Sequence, residues 1–421
     1  MADLSWFTGA GLGLFVHWDH ASQQGVEISW PLVGRSIIPG RGEPEDHVTV
    51  AQYHASAATF DPQRWDAKAL ARLARESGAS YVVLTVRHHA GYSMYHTRFS
   101  DYSIEHSPFQ RDITREFVEA VRAEGLRVGL YYSLPDWRHP DYPAFTDADR
   151  PYAFESYRRP APEAWDRYIQ YLRDQLTELL TGYGPIDLLW FDGEWERSPE
   201  EWRAAELHRL IAELQPATVV NDRLPGQGDY STPEQGLPVS PPAGPWELCL
   251  TMSEAWAYRP ADTNYKSARR LARYLVETVA RGGNLLLNVG PMGDGAVPDT
   301  EVALLRELGG WIDTHGESVI GVEPVGGAVD FYGPVTRRGE RVYLHLLLRP
   351  VEEVVVRGVP VRRIRAVTLL GSGTSLGYET NVEVHEEDHL GREALGELII
   401  RAPEATDALI DVIAIDLEGE G

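Results

Sequence analysis

The chain has 421 residues, too many for one ordinary hydrophobic core, so two domains are expected. Its net charge of −24 repels phosphate backbones and anionic membranes, which argues against nucleic-acid and membrane partners. With 43% hydrophobic and 24% charged residues the composition is globular, and 12 Trp and 20 Tyr supply flat rings with polar edges that suit sugar faces.

Residues 1 to about 320 alternate strand and helix signals. Strands are expected at 11–18, 80–89, 126–133, 186–192, 217–222, 246–252 and 284–290. Between the first two, Asp61-Pro62 reads as an N-cap followed by proline at the first helical position. Trp65, Ala69, Leu70 and Leu73 then share a face, and Gly78 ends the helix. After the second strand Asp112 reads as a cap, Ile113, Phe117 and Val121 repeat every fourth residue, and Gly125 stops the helix. Further helices are expected over 162–182, 199–214, 264–281 and 299–314. Strict alternation implies a parallel sheet. Seven units and a weak eighth favour a (β/α)8-like, TIM-type barrel over 1–325. An open doubly wound sheet would want a phosphate turn after its first strand, but Gly9-Ala-Gly-Leu-Gly13 lies at or before that strand. From 326 to 421, short strands at 342–348, 354–356, 364–370, 397–401 and 410–417 read as a small antiparallel β-sandwich. Loops 34–50, 136–162 and 224–245, rich in Pro and Gly, follow strand ends and are expected to build a rim.

The lone cysteine, Cys249, has no partner for an intrachain disulfide. The first residues, Met1-Ala-Asp-Leu-Ser-Trp-Phe7, lack the basic and apolar regions of a signal peptide, and no apolar run approaches a membrane span. A cytoplasmic protein is the expectation, with a homo-oligomer left open.

The apolar run 186–191 ends in Asp192, set among Trp190, Phe191 and Trp195. At the C-terminal rim of a barrel a carboxylate among aromatics is where catalysis sits, although Asp192 could equally cap the next turn. Other strand ends carry His17-Trp18, Arg87-His88-His89, Tyr131-Tyr132 and Asn221-Asp222-Arg223, and the sixth region gives Pro245-Trp246-Glu247. Polar side chains converging on one face are hard to explain as packing, because buried polar groups must find partners. His17, His88, His89 and Asp192 could ligate zinc, but adjacent histidines on a strand point to opposite faces, so no metal or other cofactor is expected. The chain has no G-x-S-x-G elbow, and Gly290-Pro-Met-Gly-Asp-Gly295 lacks the lysine of a phosphate loop. Paired carboxylates remain, the requirement of glycoside hydrolysis.

Here the residues resemble those of the α-L-fucosidases of glycoside hydrolase family 29. The resemblance runs over about residues 5 to 320. It is carried by Gly13-Leu-Phe-Val-His17-Trp18, residues 81–89 with Gly91, Gly129-Leu-Tyr-Tyr-Ser133, Leu189-Trp-Phe-Asp-Gly193, Val220-Asn-Asp-Arg223, Trp246-Glu247 and Gly282-Gly-Asn-Leu-Leu-Leu-Asn-Val-Gly-Pro291, in that order. It implies a retaining exo-glycosidase acting on a fucosylated glycan, with Asp192 as nucleophile. It also implies sugar contacts from His17, His88, His89, Tyr131, Trp190 and Arg223. Glu247 is taken as the acid/base and Glu27 and Trp30 as sugar contacts. A strand start would be the wrong end of the barrel for Glu247, so that role requires loop or strand end there; Glu254, nearer the expected rim, is its rival. Glu194 and Glu196 read as loop charges. Trp137 and Trp256 could stack on sugar or belong to the core. Two departures, Asp19-His20 after His17-Trp18 and Ile28-Ser29-Trp30-Pro31 in the first loop, are expected on the rim and bear on the sugar and the aglycone. Alternatives are the same mechanism on an α-L-galactoside, or a catalytically silent carbohydrate-binding protein.

Overall fold

The computed structural model describes residues 2–33, 48–143, 146–149, 159–382, 395–404, 407 and 409–419. Of the expected rim loops, 34–47, 144–145 and 150–158 lie outside the described residues.

Seven strands form one parallel sheet: β1 (Leu12–Val16), β2 (Tyr81–Arg87), β3 (Arg127–Ser133), β4 (Leu188–Asp192), β5 (Val219–Val220), β6 (Trp246–Thr251) and β7 (Gly283–Val289). Their order is β5-β4-β3-β2-β1-β7-β6, so β5 and β6 are the free edges of a curled sheet. Residues 230–235 fill the gap between those edges. Tyr230 bridges Asn221 just past β5, while Ser231 and Glu234 bridge Trp246 and Cys249 of β6, all in the parallel sense. The weak eighth unit is therefore an extended segment interrupted by Pro233, which has no N–H for a ladder.

Helices cover the outside: α1 (Val50–Ala55) and α2 (Ala67–Glu76) after β1, α3 (Ile113–Ala123) after β2, and α4 (Pro162–Gly182) after β3. Then come α5 (Ala204–Leu214) after β4, α6 (Ala268–Val279) after β6 and α7 (Asp299–His315) after β7. Asp112 caps α3 as expected, accepting from the Arg115 amide. Helix α2 starts later than expected. Asp66, not Asp61, accepts from the Ala69 amide, because Asp61-Pro62 is spent on a preceding turn closed by Trp65 N–H to Pro62 O.

The two faces of each strand go to different cores. Phe15, Tyr81, Val83, Leu188, Trp190 and Leu286 meet inside the barrel. Leu14, Val16, Val82, Leu189 and Phe191 pack outward beneath the helices. Each such buried large side chain contributes about 1.5–3 kcal/mol. The strand period of two then puts Leu188, Trp190 and Asp192 on one inner face, with Asp192 at its C-terminal end. Gly13 of β1 has no side chain because the Tyr81 ring of the neighbouring strand occupies the place a Cβ would take.

The rest of the chain forms two antiparallel sheets. One has the order β13-β12-β16-β10-β9-β8, from β8 (Glu323–Pro324), β9 (Val335–Arg338), β10 (Arg341–Leu346), β12 (Ile364–Leu369), β13 (Thr374–Ser375) and β16 (Asp411–Leu417). The other is β11-β15-β14, from β11 (Glu353–Pro360), β14 (Tyr378–Val382) and β15 (Leu395–Arg401). Leu344, Val354, Val356, Leu398, Ile400 and Ile413 fill the space between them. Trp311 of α7 donates to Ile410 O at 2.8 Å, tying this unit to the barrel. No described helix is long and apolar enough to cross a membrane.

Candidate active site

Asp192 is 7% exposed at the mouth of the barrel, and three side chains converge on it. Tyr131 O–H donates to its Oδ2 at 2.7 Å, Arg223 Nη1 donates to its Oδ1 at 2.6 Å, and His89 Nε2 lies 3.5 Å from Oδ2. Gly193 follows with φ of 86°, a left-handed turn in which a Cβ would strike Pro135, so the chain leaves the strand sharply. Burial and the Asp192 charge push the Tyr131 phenol well above its usual range, so it remains a donor.

Three imidazoles surround the carboxylate. Burial lowers the pKa of His17 to about 4 and holds His88 and His89 well below the ordinary value, so all three are neutral near pH 7. His17 Nδ1 is 2.6 Å from Asn288 Oδ1, and Asn288 Nδ2 donates to Trp256 O at 2.7 Å. With the amide oriented by that second bond, His17 Nδ1 carries the proton and Nε2 is an acceptor. His88 Nδ1 meets Ser29 Oγ at 2.7 Å and His89 Nδ1 meets Ser133 Oγ at 2.5 Å. Contrary to the strand-face expectation, His88 and His89 lie side by side, their ring centroids 4.2 Å apart. β2 ends at Arg87 after a register shift, so strand alternation no longer governs them. Donor atoms of His88, His89 and Asp192 lie within 4.8 Å of one another and could hold a metal. The Arg223 guanidinium already bound to Asp192 opposes a second cation there.

Trp190 stacks on Tyr131, centroids 5.5 Å apart, and Arg223 lies 4.6 Å over the Trp190 ring. Trp30 packs edge-on to His89 at 5.3 Å, and Trp137 lies behind that pair, fully buried. Trp256 lies 4.7 Å from His17. Glu27 Oε1 accepts from the Trp256 amide at 2.7 Å, so it holds the loop that carries that ring. Trp195, 38% exposed and 5.7 Å from His89, adds an aromatic face at the mouth.

Glu247 does not join this group. It is the second residue of β6, completely buried, on the inner face near the N-terminal end of the barrel. Tyr81 O–H donates to one of its oxygens and Trp190 Nε1 to the other at 3.0 Å. Burial pushes its pKa up to about 7. Trp190 thus stands between Glu247 and Arg223. Glu254 is an exposed residue with buried neighbours on the loop after β6, accepting from Asn264 Nδ2 at 2.8 Å.

The carboxylate at the mouth is Glu234, which sequence reasoning missed. Its Oε2 accepts from Arg223 Nη2 at 2.9 Å, and its side chain is 32% exposed. The Cys249 amide donates to Pro233 O and the Gln235 amide to Cys249 O, which fixes Glu234 against the middle of β6. One guanidinium therefore bridges Asp192 on the floor and Glu234 on the rim.

Three further expectations change. Glu194 is not a free loop charge: burial and the neighbouring Asp192 raise its pKa to about 7. Glu196 is buried and accepts from Trp137 Nε1 and from Tyr142 O–H. The Asp19-His20 departure is likewise internal rather than on the rim. Asp19 caps a short 3-10 turn through the Ala21 amide, and His20 bonds Ser56 and Tyr102.

A parallel barrel with carboxylates, neutral imidazoles and indoles at its C-terminal mouth defines a glycoside hydrolase. Residues 2–317 match the family model described as Alpha-L-fucosidase, and the chain belongs to that family, glycoside hydrolase family 29. The tissue alpha-L-fucosidase of Mus musculus is 32% identical over 345 residues, covering 76% of this chain and 72% of that protein. Alpha-L-fucosidase isoenzyme 1 from Paenibacillus thiaminolyticus superposes with a TM-score of 0.84 at 32% identity, covering 99% of each chain. A Bacteroides thetaiotaomicron alpha-L-fucosidase, trapped as a covalent intermediate with 2-fluoro-fucosyl fluoride in a Glu-to-Gln mutant, has a TM-score of 0.80 at 25% identity. It covers 98% of this chain and 95% of its own.

Proposed function

We propose that the protein removes terminal α-L-fucose from glycans with retention of configuration, using Asp192 as nucleophile and Glu234 as acid/base. The observation that carries this assignment is Arg223, which holds both carboxylates at one mouth. Asp192 attacks the anomeric carbon while Glu234 protonates the departing glycosidic oxygen, giving a glycosyl-enzyme ester. Glu234 then takes a proton from water, which attacks the ester from the face the aglycone left. The more exposed carboxylate suits the acid, because the aglycone leaves toward solvent. Tyr131 and Arg223 orient Asp192. Neutral His17, His88 and His89 can accept from or donate to ring hydroxyls without adding charge. Trp190 and Trp256 give the C5 methyl an apolar wall, worth about 1–3 kcal/mol of discrimination.

Azide separates the two roles. Glu234→Ala with azide gives α-L-fucosyl azide, made by attack on the ester, whereas Asp192→Ala with azide gives the β-anomer. Rescue at Glu254→Ala or Glu247→Ala with none at Glu234→Ala overturns the assignment.

A further inference from the structure

Helix α6 begins with an unusual charge pattern. Four of the chain's 39 basic residues, Lys266, Arg269, Arg270 and Arg273, fall within eight positions at its N-terminus, and its first turn has no acid. Cations at the positive end of a helix dipole are unfavourable unless an anion compensates them. Lys266 is turned inward onto Thr251 O and Ser253 O, but the three arginines line a cavity of about 560 Å3 between the barrel and the sandwich. Among the described residues lining it, Glu277 is the one carboxylate, and it is tied to Arg273 at 3.1 Å. Arg269 donates to Leu347 O at 3.4 Å and Arg270 lies 6.0 Å from the centre of the Tyr274 ring, so neither has an acid partner among the described residues lining the cavity.

The walls are not merely basic. Leu347 and Ile410 from the sandwich side and Tyr274 from α6 give the cavity an apolar face. A second cavity of about 400 Å3 shares Glu277 and Leu347 and adds Phe331, Tyr332 and Arg281. Leu237, three residues past Glu234, lines the first cavity, so the groove starts on the loop that forms the active-site rim. Aromatic and aliphatic faces beside guanidiniums fit a sugar that carries an anion. A polynucleotide would have to lay its backbone on a surface with net charge −24.

We propose that this groove is a second glycan site that takes a sugar bearing a carboxylate or a sulfate. The choice of a glycan rests on the fucoside reading of the active site; the anion rests on the arginines alone. The test is calorimetric titration of the full chain, its active site saturated with L-fucose, with sialyllactose, sulfated lactose, lactose and sodium sulfate. At least one acidic sugar binds and lactose does not. The Arg269→Glu/Arg270→Glu variant weakens that binding by about tenfold or more, the loss of a charge-assisted contact. An acid in the first turn favours the helix, so Tm does not fall and nitrophenyl fucoside turnover is unchanged. Three results overturn the proposal: no binding of either acidic sugar, unchanged affinity in the variant, or sulfate binding as tightly as the sugars, which means an adventitious ion only. Failure of the wild type to cleave the nitrophenyl fucoside contradicts the active-site reading and leaves the titration to judge the groove.

Discussion

Asp192 and Glu234 are joined by one guanidinium: Arg223 Nη1 lies 2.6 Å from Asp192 Oδ1, and its Nη2 lies 2.9 Å from Glu234 Oε2. The fork matches two acceptors at once, which a lysine ammonium does not reproduce. Arg223→Lys is therefore expected to lower kcat/KM by about tenfold to a hundredfold, one to two charge-assisted bonds. Steady-state kinetics on a nitrophenyl fucoside check this, and near wild-type activity would remove Arg223 from its bridging role.

Glu234 and Glu247 are separated by paired substitutions. Loss of a general acid costs about 10²–10⁴ in rate, so Glu234→Gln is expected to fall in that range on substrates with poor leaving groups. Glu247→Gln keeps an acceptor for Trp190 and leaves turnover within a few-fold of wild type. Comparable losses in both variants would restore Glu247 to the reaction.

Tyr81→Phe isolates the structural side of Glu247. It leaves one oxygen of a fully buried carboxyl without its phenol partner. A cost of about 1–3 kcal/mol is expected in denaturant unfolding, with KM little changed. Unchanged stability would mean that water replaces the phenol.

The pH dependence of stability has two opposing parts. His17 is lowered from 6.5 to about 4, so between those values the unfolded chain binds more protons and stability rises with pH. His88 and His89 act in the same direction. Glu247 is raised from 4.5 to about 7. Its contribution is complete below 4.5 and lost as pH rises through about 7. Relative to wild type, Glu247→Gln should gain stability as pH rises from 4.5 through about 7. A Glu247→Gln variant that loses ground at pH 8 would show the sign to be wrong.

Much of this site is legible in the sequence because strand periodicity is. An apolar run ending in Asp192 fixes which residues share the inner face, and the apolar run 246–252 has Glu247 at its start. That position alone opposes a catalytic role, and the family motif Trp246-Glu247 outweighed it. Glu234 was hidden by Pro233, since a proline-interrupted segment beside a two-residue β5 gives no strand signal. Its loop was legible as rim, but its pairing with Arg223, eleven residues earlier, is a tertiary fact. The side-by-side arrangement of His88 and His89 was equally out of reach, because a register shift at the end of β2 cancels the rule that separates neighbouring side chains.

Metal dependence is checked with a chelator. Donor atoms of His88, His89 and Asp192 are close enough to share an ion, yet the proposed reaction needs only the carboxylates. Turnover after exhaustive chelation is expected to be unchanged. Loss that zinc restores would move the mechanism to a metal.

The most direct measurement is covalent trapping. Glu234→Gln enzyme treated with 2-fluoro-fucosyl fluoride should gain the mass of one fluorofucosyl group, and peptide sequencing should place it on Asp192. A label on any other carboxylate, or no label while the wild type still turns over fucosides, would contradict the account.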